Sequence, residues 1–317
     1  MKLLYSILGL LLILHLTPQY ARGQRPEIVR QIRSAIEAGR LADCDQILAA
    51  HKAASGADPA YLEALSWVAR GKFAAKDYAG AEKYAQLTRA GVLDQLKTHK
   101  LEDDSSLPLA LGASIEVQSQ VLNATGRKTE AVAFLQGEVK TWYTTSIRTR
   151  IQKNLNLITL QGRRAPPLDT KQYLGAVPPS LLALRGKPVL LFFWAHWCGD
   201  CKAEAGVIER LARENPGLVI VGPTQTYGYI EGGIEAPRDA ELRYIETVRS
   251  QYYAHIPGMT VPVSEENFKA WGASTTPTLA LIDRLGIVRL YNPGRMTYEE
   301  LAPKVAAVLR QVTAARK

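Results

Sequence analysis

The chain has 317 residues, enough for two domains that each bury a core of their own. Apolar residues make up 47% and charged residues 22% of it, ordinary globular proportions that exclude a largely disordered chain. The net charge of +9 comes without long like-charge runs or interleaved basic and aromatic residues, which argues for a solvated basic surface and against nucleic-acid binding.

Lys2 and the apolar run from Leu3 to Leu14, closed by Pro18, read as a secretory signal over residues 1–23. Ala21 and Gly23 stand at the spacing a signal peptidase reads, so the mature chain is expected to begin at Gln24. No cysteine follows the run, which argues against a lipoprotein anchor. The run is shorter than the ~20 apolar residues of a membrane span. Retention as an uncleaved anchor, and membrane association through it, stays open as the alternative. Either way the folded part is expected outside the cytoplasm, in the periplasm or cell envelope, where disulfides persist.

Residues 24–162 carry apolar positions at helical spacing and are rich in Ala and Leu, predicting an all-α domain. Three stretches share a local pattern: 39–44, 75–81 and 126–131. In each, a turn precedes a small residue (Cys44, Ala81 or Ala131) that opens another helical run. This resembles the turn inside a tetratricopeptide-like helical hairpin, where the small residue lets paired helices approach closely. The small residues are 37 and 50 apart, against a regular repeat of about 34, so degenerate hairpins and a plain bundle both fit. A packing scaffold and a partner-binding surface fit equally well. Cys44 reads as core filler, with a regulatory or intermolecular thiol as the sharper alternative. The prolines of Ala165-Pro166-Pro167 stop the helical pattern and mark the expected domain boundary.

The pattern from residue 166 to 317 is mixed. A short helix is expected at 179–184, then a buried strand from Lys187 to Trp194, a helix from Asp200 to Asn215 and a second strand over 217–222. Helices at 238–253 and 265–272, a β-hairpin turning through Arg284-Leu285-Gly286, and a closing helix from Tyr298 to Val312 follow. Cys198 and Cys201 stand two residues apart where the first strand turns into its helix. At a helix N-terminus, free N–H groups and aligned peptide dipoles favour a thiolate, which is the nucleophile of thiol–disulfide exchange. Zinc would need two further ligands, and Cys44 with five scattered histidines supplies no such set. A purely structural disulfide would close too short a loop to constrain the unfolded chain much.

The order of elements, the stretch Phe193-Trp194-Ala195-His196-Trp197-Cys198-Gly199-Asp200-Cys201-Lys202-Ala203-Glu204, the later Thr275-Thr276-Pro277-Thr278 and an extra segment at about 224–262 together resemble the exported TlpA/ResA-like thiol–disulfide oxidoreductases of the thioredoxin superfamily. The resemblance covers roughly residues 166–313. It implies an α/β thioredoxin-like domain behind the helical one, with Cys198 as the more exposed attacking thiolate and Cys201 as the resolving thiol. It also implies a cis Thr276–Pro277 bond against the cysteines, where the Thr276 backbone and Trp197 would meet a substrate strand. Glu204 would relay the resolving thiol's proton if desolvation raises its pKa; a surface ion pair is the alternative. The redox disulfide itself would be the only redox group, with no cofactor or metal. Partners would be disulfide-containing exported proteins and a membrane-embedded electron donor.

Three positions depart from the family pattern. Phe192 replaces the buried aspartate of cytoplasmic thioredoxins, and Asp200 replaces the proline common before the second cysteine. The charge of Asp200 should raise the thiolate's pKa and make the couple more reducing. Gly206 stands where many relatives kink the helix with proline. Two other functions compete with a disulfide reductase. A peroxiredoxin-like peroxidase would want a threonine where Ala195 stands, and a non-catalytic exported adaptor would not need the cysteine pair.

Overall fold

The computed structural model describes residues 25–310; the expected signal segment 1–23, residue Gln24 and the last two positions of the expected closing helix lie outside them. Helices fill the first half: α1 (Glu27–Glu37), α2 (Asp43–Ser55), α3 (Pro59–Ala74), α4 (Tyr78–Gln95), α5 (Ser106–Ala124), α6 (Lys128–Thr141) and α7 (Arg148–Thr159). Their starts follow local chemistry. Asp58 accepts the Tyr61 N–H at 2.7 Å with Pro59 in the first turn of α3, and Asp77 accepts the Gly80 N–H at 2.9 Å at the start of α4.

The three expected turns fall between α1 and α2, α3 and α4, and α5 and α6, and their small residues Cys44, Ala81 and Ala131 are fully buried. Helices α1, α3 and α5 pack side by side, each against the second helix of its hairpin. Ile28, Ile32, Leu48 and Val68 form one core and Leu107, Leu111, Ile115 and Leu135 the next. Cys44 lies within the first, where burial pushes its thiol pKa up, as suits core filler.

In the second half, β2 (Val189–Phe193) is one of the two inner strands of a four-stranded sheet. It runs parallel to β3 (Val219–Val221) and antiparallel to β5 (Thr278–Ile282), with β6 (Val288–Pro293) beyond β5. All five residues of β2 are buried because both faces are covered. Leu190 and Phe192 face α8 (Gly199–Glu214), α9 (Arg238–Tyr252) and α11 (Tyr298–Arg310) through Ile208, Ile245 and Leu301. Val189, Leu191 and Phe193 face Phe268 and Trp271 of α10 (Glu265–Trp271), together with Leu160 beyond α7. Phe192 packs edge-on against Tyr253, so an aromatic contact fills the place of the acid it replaces.

One expectation needs correction. Residues 181–186 form a turn and no helix: Ser180 accepts from Leu184 N through its carbonyl and from Ala183 N through its hydroxyl, and Gly186 then turns at φ +91°. So few residues cannot offset the cost of nucleating a helix. A two-residue ribbon of β1 (Tyr173–Leu174) and β4 (Val261–Pro262) was not foreseen. Helix α8 is unbroken through Gly206, whose added Cβ would meet open space.

The two halves are closely joined. Helix α7 packs on α10 and β6, and Asn156 donates a 2.8 Å hydrogen bond to the Trp271 carbonyl. Gly272, at φ +63°, approaches α7 so closely that a Cβ there would lie 2.4 Å from the Lys153 nitrogen. The stretch before the prolines lies along β6: Gly162 N donates to Val288 O at 2.8 Å, Val288 N to Arg163 O at 2.9 Å, and Ala165 N to Gly286 O at 2.9 Å.

Candidate functional site

The register pairing Phe193 with Thr278 brings the end of β2 beside the start of β5, so the cysteine loop and Pro277 meet at one end of the sheet. Trp194 fixes that end: its indole N–H donates to Gly222 O at 2.9 Å, and its carbonyl accepts from the Thr224 hydroxyl at 2.9 Å. Cys198 is the N-cap of α8, in extended conformation, and its sulfur accepts the Cys201 N–H at 3.0 Å. It is bonded to Cys201 as a disulfide.

The expectation that Cys198 is exposed needs adjusting. With the disulfide closed it is 3% exposed and Cys201 0%, because both sulfurs sit in the apolar cluster of Leu190, Trp194 and Ala195. The solvent-facing neighbour is Trp197, 49% exposed.

Glu204, one turn past Cys201 on α8, is 0% exposed, which removes the reading as a surface ion pair. Its Oε1 accepts the Met296 N–H at 3.3 Å. Arg295 Nε stands 3.5 Å from Oε2, which has no hydrogen-bond partner, so Arg295 acts there as a charge and not as a donor. Burial pushes the Glu204 pKa up, opposed by the Met296 N–H and the Arg295 charge. Arg295 also lies 3.6 Å from the exposed carboxylate of Asp200. It offsets part of the negative charge expected to weigh on Cys198, and nothing in its local sequence marked it.

The Thr276–Pro277 bond is cis, Pro277 is buried, and its carbonyl accepts from Gly294 N at 2.8 Å. The Thr276 hydroxyl oxygen is buried without a partner. Among the described residues no group of three or more His, Cys, Asp or Glu side chains is placed to hold a metal ion.

Sequence reasoning missed the surroundings of His196. This side chain, two residues before Cys198, is buried, and its Nε2 donates to Glu241 of α9 at 3.2 Å. The rings of Tyr227, Tyr229 and Tyr244 stand edge-on around it at 5.3–5.5 Å. Burial lowers the His196 pKa against the pull of Glu241, favouring the neutral ring. The available signal was a carboxylate on the apolar face of α9, one turn before Ile245.

The thioredoxin family profile matches residues 180–224. The chain is 29% identical over 132 residues to the thiol:disulfide interchange protein DsbE of Xylella fastidiosa, an overlap of 41% of this chain and 58% of that one. It is 26% identical over 147 residues to the thioredoxin-like protein YneN of Bacillus subtilis, overlapping 46% of this chain and 78% of that one. A crystal structure of a putative thiol:disulfide interchange protein DsbE from Chlorobium tepidum aligns at 24% identity and TM-score 0.38, over 47% of this chain and 97% of that one. The chain thus spans 58% of the length of the Xylella relative. Together with the sheet order and the capped cysteine pair, the sequence matches give the second half a thioredoxin fold, similar to the DsbE- and ResA-like thiol:disulfide interchange proteins.

Proposed function

We propose that the protein is an exported thiol–disulfide oxidoreductase that reduces disulfides in partner proteins. The observation that carries this reading is the Cys198 sulfur, capping α8 and receiving the Cys201 N–H with the resolving cysteine one turn away. A charge on that sulfur is stabilised by a hydrogen bond that is already in place. In the reduced protein the Cys198 thiolate attacks one sulfur of the partner's disulfide, forming a mixed disulfide and releasing the partner's other sulfur as a thiolate. Cys201 then loses its proton toward Glu204 and attacks Cys198. The partner leaves as a dithiol, and the Cys198–Cys201 disulfide is restored. A membrane-embedded dithiol donor re-reduces it.

Desolvation and the nearby Asp200 both disfavour the thiolate, and a less stabilised thiolate makes a better reductant. Arg295 moderates that tendency. Export rests on the N-terminal pattern of Lys2, apolar run and Ala21–Gly23, and places the protein in the periplasm or cell envelope, with the segment either removed or kept as an anchor. The stacked hairpins fit a tetratricopeptide-like scaffold. Trapping tests the mechanism: Cys201→Ser should accumulate covalent complexes with partner proteins through Cys198, and Cys198→Ser should form none. If Cys201→Ser yields no such complexes, the reading fails.

A further inference from the structure

The segment between β3 and α9 takes no part in the exchange chemistry, yet it is built onto the cysteine loop. The Glu241 carboxylate, fully buried, accepts three hydrogen bonds. Tyr227 N and His196 Nε2 reach Oε1, and Gly228 N reaches Oε2 at 2.8 Å. One side chain therefore ties α9 to the 225–237 loop and to the residue two before Cys198. The loop folds back on itself, with Ile230 N donating to Ile234 O at 2.8 Å and Ala236 N to Gly228 O at 3.1 Å.

That fold-back walls an open cleft of about 910 Å³ lined by Tyr227, Gly228, Tyr229, Gly233, Ala236 and Pro237, with Glu235. The volume lies within the roughly 300–1,000 Å³ of clefts that accept ligand-sized groups. Tyr227 links the cleft to the cysteine loop. It lines the cleft and also receives the edge of the half-exposed Trp197, the neighbour of Cys198, at 5.6 Å between ring centres. Ile234 stands exposed at the loop tip.

From this we infer that Glu241 is a positioning residue: it holds the 225–237 loop against the cysteine loop so that the cleft receives an apolar side chain of an extended polypeptide whose disulfide lies over Cys198. This rests on the exchange reading and names its substrate class. The lining favours a polypeptide over a small anionic disulfide, because it offers aromatic faces and backbone groups, no cationic side chain, and one carboxylate. Alternate side chains of an extended segment point to opposite faces, so one can enter the cleft while the chain crosses the disulfide.

The test uses the reduced full-length protein and three probes. Two are decapeptides closed by one disulfide, with Phe or Ser beside a cysteine, and the third is 5,5′-dithiobis(2-nitrobenzoate). The wild-type protein should favour the Phe peptide about tenfold in kcat/KM, the scale on which an apolar pocket discriminates, and should do so through KM. Glu241→Gln presents an amide to donors that need a carboxylate, so the Phe/Ser ratio should fall to about one, with KM changing more than kcat. His196→Gln keeps an N–H donor toward Glu241 and should keep the ratio. If Glu241→Gln does not fold, Glu241→Asp, which draws the carboxylate back by one methylene, takes its place and must lower the ratio, while Tyr229→Ala, in the cleft wall, must lose it. Equal use of both peptides by the wild type overturns the cleft assignment. A ratio that survives Glu241→Gln overturns the role of Glu241. A wild type that reduces none of the three probes refutes the exchange reading itself.

Discussion

Glu204→Gln separates chemistry from packing. The substitution keeps the shape of the side chain and an acceptor for the Met296 N–H, and deletes the ionised form that burial penalises. A carboxyl whose folded-state pKa is raised favours the folded protein fully below its unfolded value, ordinarily 4.5, and loses that contribution as pH rises through the folded value. Each unit of elevation amounts to about 1.4 kcal/mol. The half-exposed Arg295 offsets little of it, about 1 kcal/mol or less. Urea unfolding should therefore find Glu204→Gln as stable as the parent at pH 4 and more stable at pH 8, by an amount on the order of 1 kcal/mol. The resolving step should move the opposite way. A positioned proton acceptor contributes about 10²–10⁴-fold, so release of a thiol from a mixed disulfide on Cys198 should slow by about 100-fold near pH 7. Its pH profile should then follow the unassisted Cys201 thiol. An unchanged rate and profile would refute the proton relay, and lower stability at pH 8 would refute the burial penalty.

Three further outcomes follow from the geometry. Gly272→Ala forces φ +63° on a residue with a Cβ and drives that carbon into the α7 backbone, so thermal unfolding should show a loss of about 2–4 kcal/mol; an unchanged midpoint would show that the α7–α10 contact yields freely. Cys44 should resist iodoacetamide in the folded, reduced protein while Cys198 reacts, and should label only on unfolding, since burial both shields it and raises its pKa. Arg295→Gln removes the cation that Asp200 and Glu204 share, so the midpoint of the pH dependence of Cys198 alkylation should move upward; a midpoint that stays put would show that Arg295 has no hold on the site.

Much of this architecture could be read from the chain because local signals and packing agreed. Val189–Phe193 is apolar at every position, and only an inner strand covered on both faces uses such a run. The turns before Cys44, Ala81 and Ala131 combined breaking residues with a small one, and packing needed both. The cysteine pair announced its own chemistry. What stayed hidden depends on contacts between distant segments. Met296 and Arg295 meet Glu204 only because the chain returns from β6 past α8, and no nearby residue signals that meeting. Glu241 interrupts the apolar face of α9, but only the folded loop reveals the three donors that converge on it. Ser180–Leu184 misled because its composition suits a helix while its length allows just one turn.

The hydrogen bonds that join Gly162 and Arg163 to Val288, and Ala165 to Gly286 just before β6, cover the start of the sheet's outer rim and bear on how this molecule can be divided. Severing the polypeptide at its prolines would strip that rim of its covering and leave a bare ladder of amides and carbonyls, the kind of surface that recruits other strands into aggregates. The redox half is thus shielded from its own stickiness by the tail of its companion, and the obvious place to cut is the wrong one.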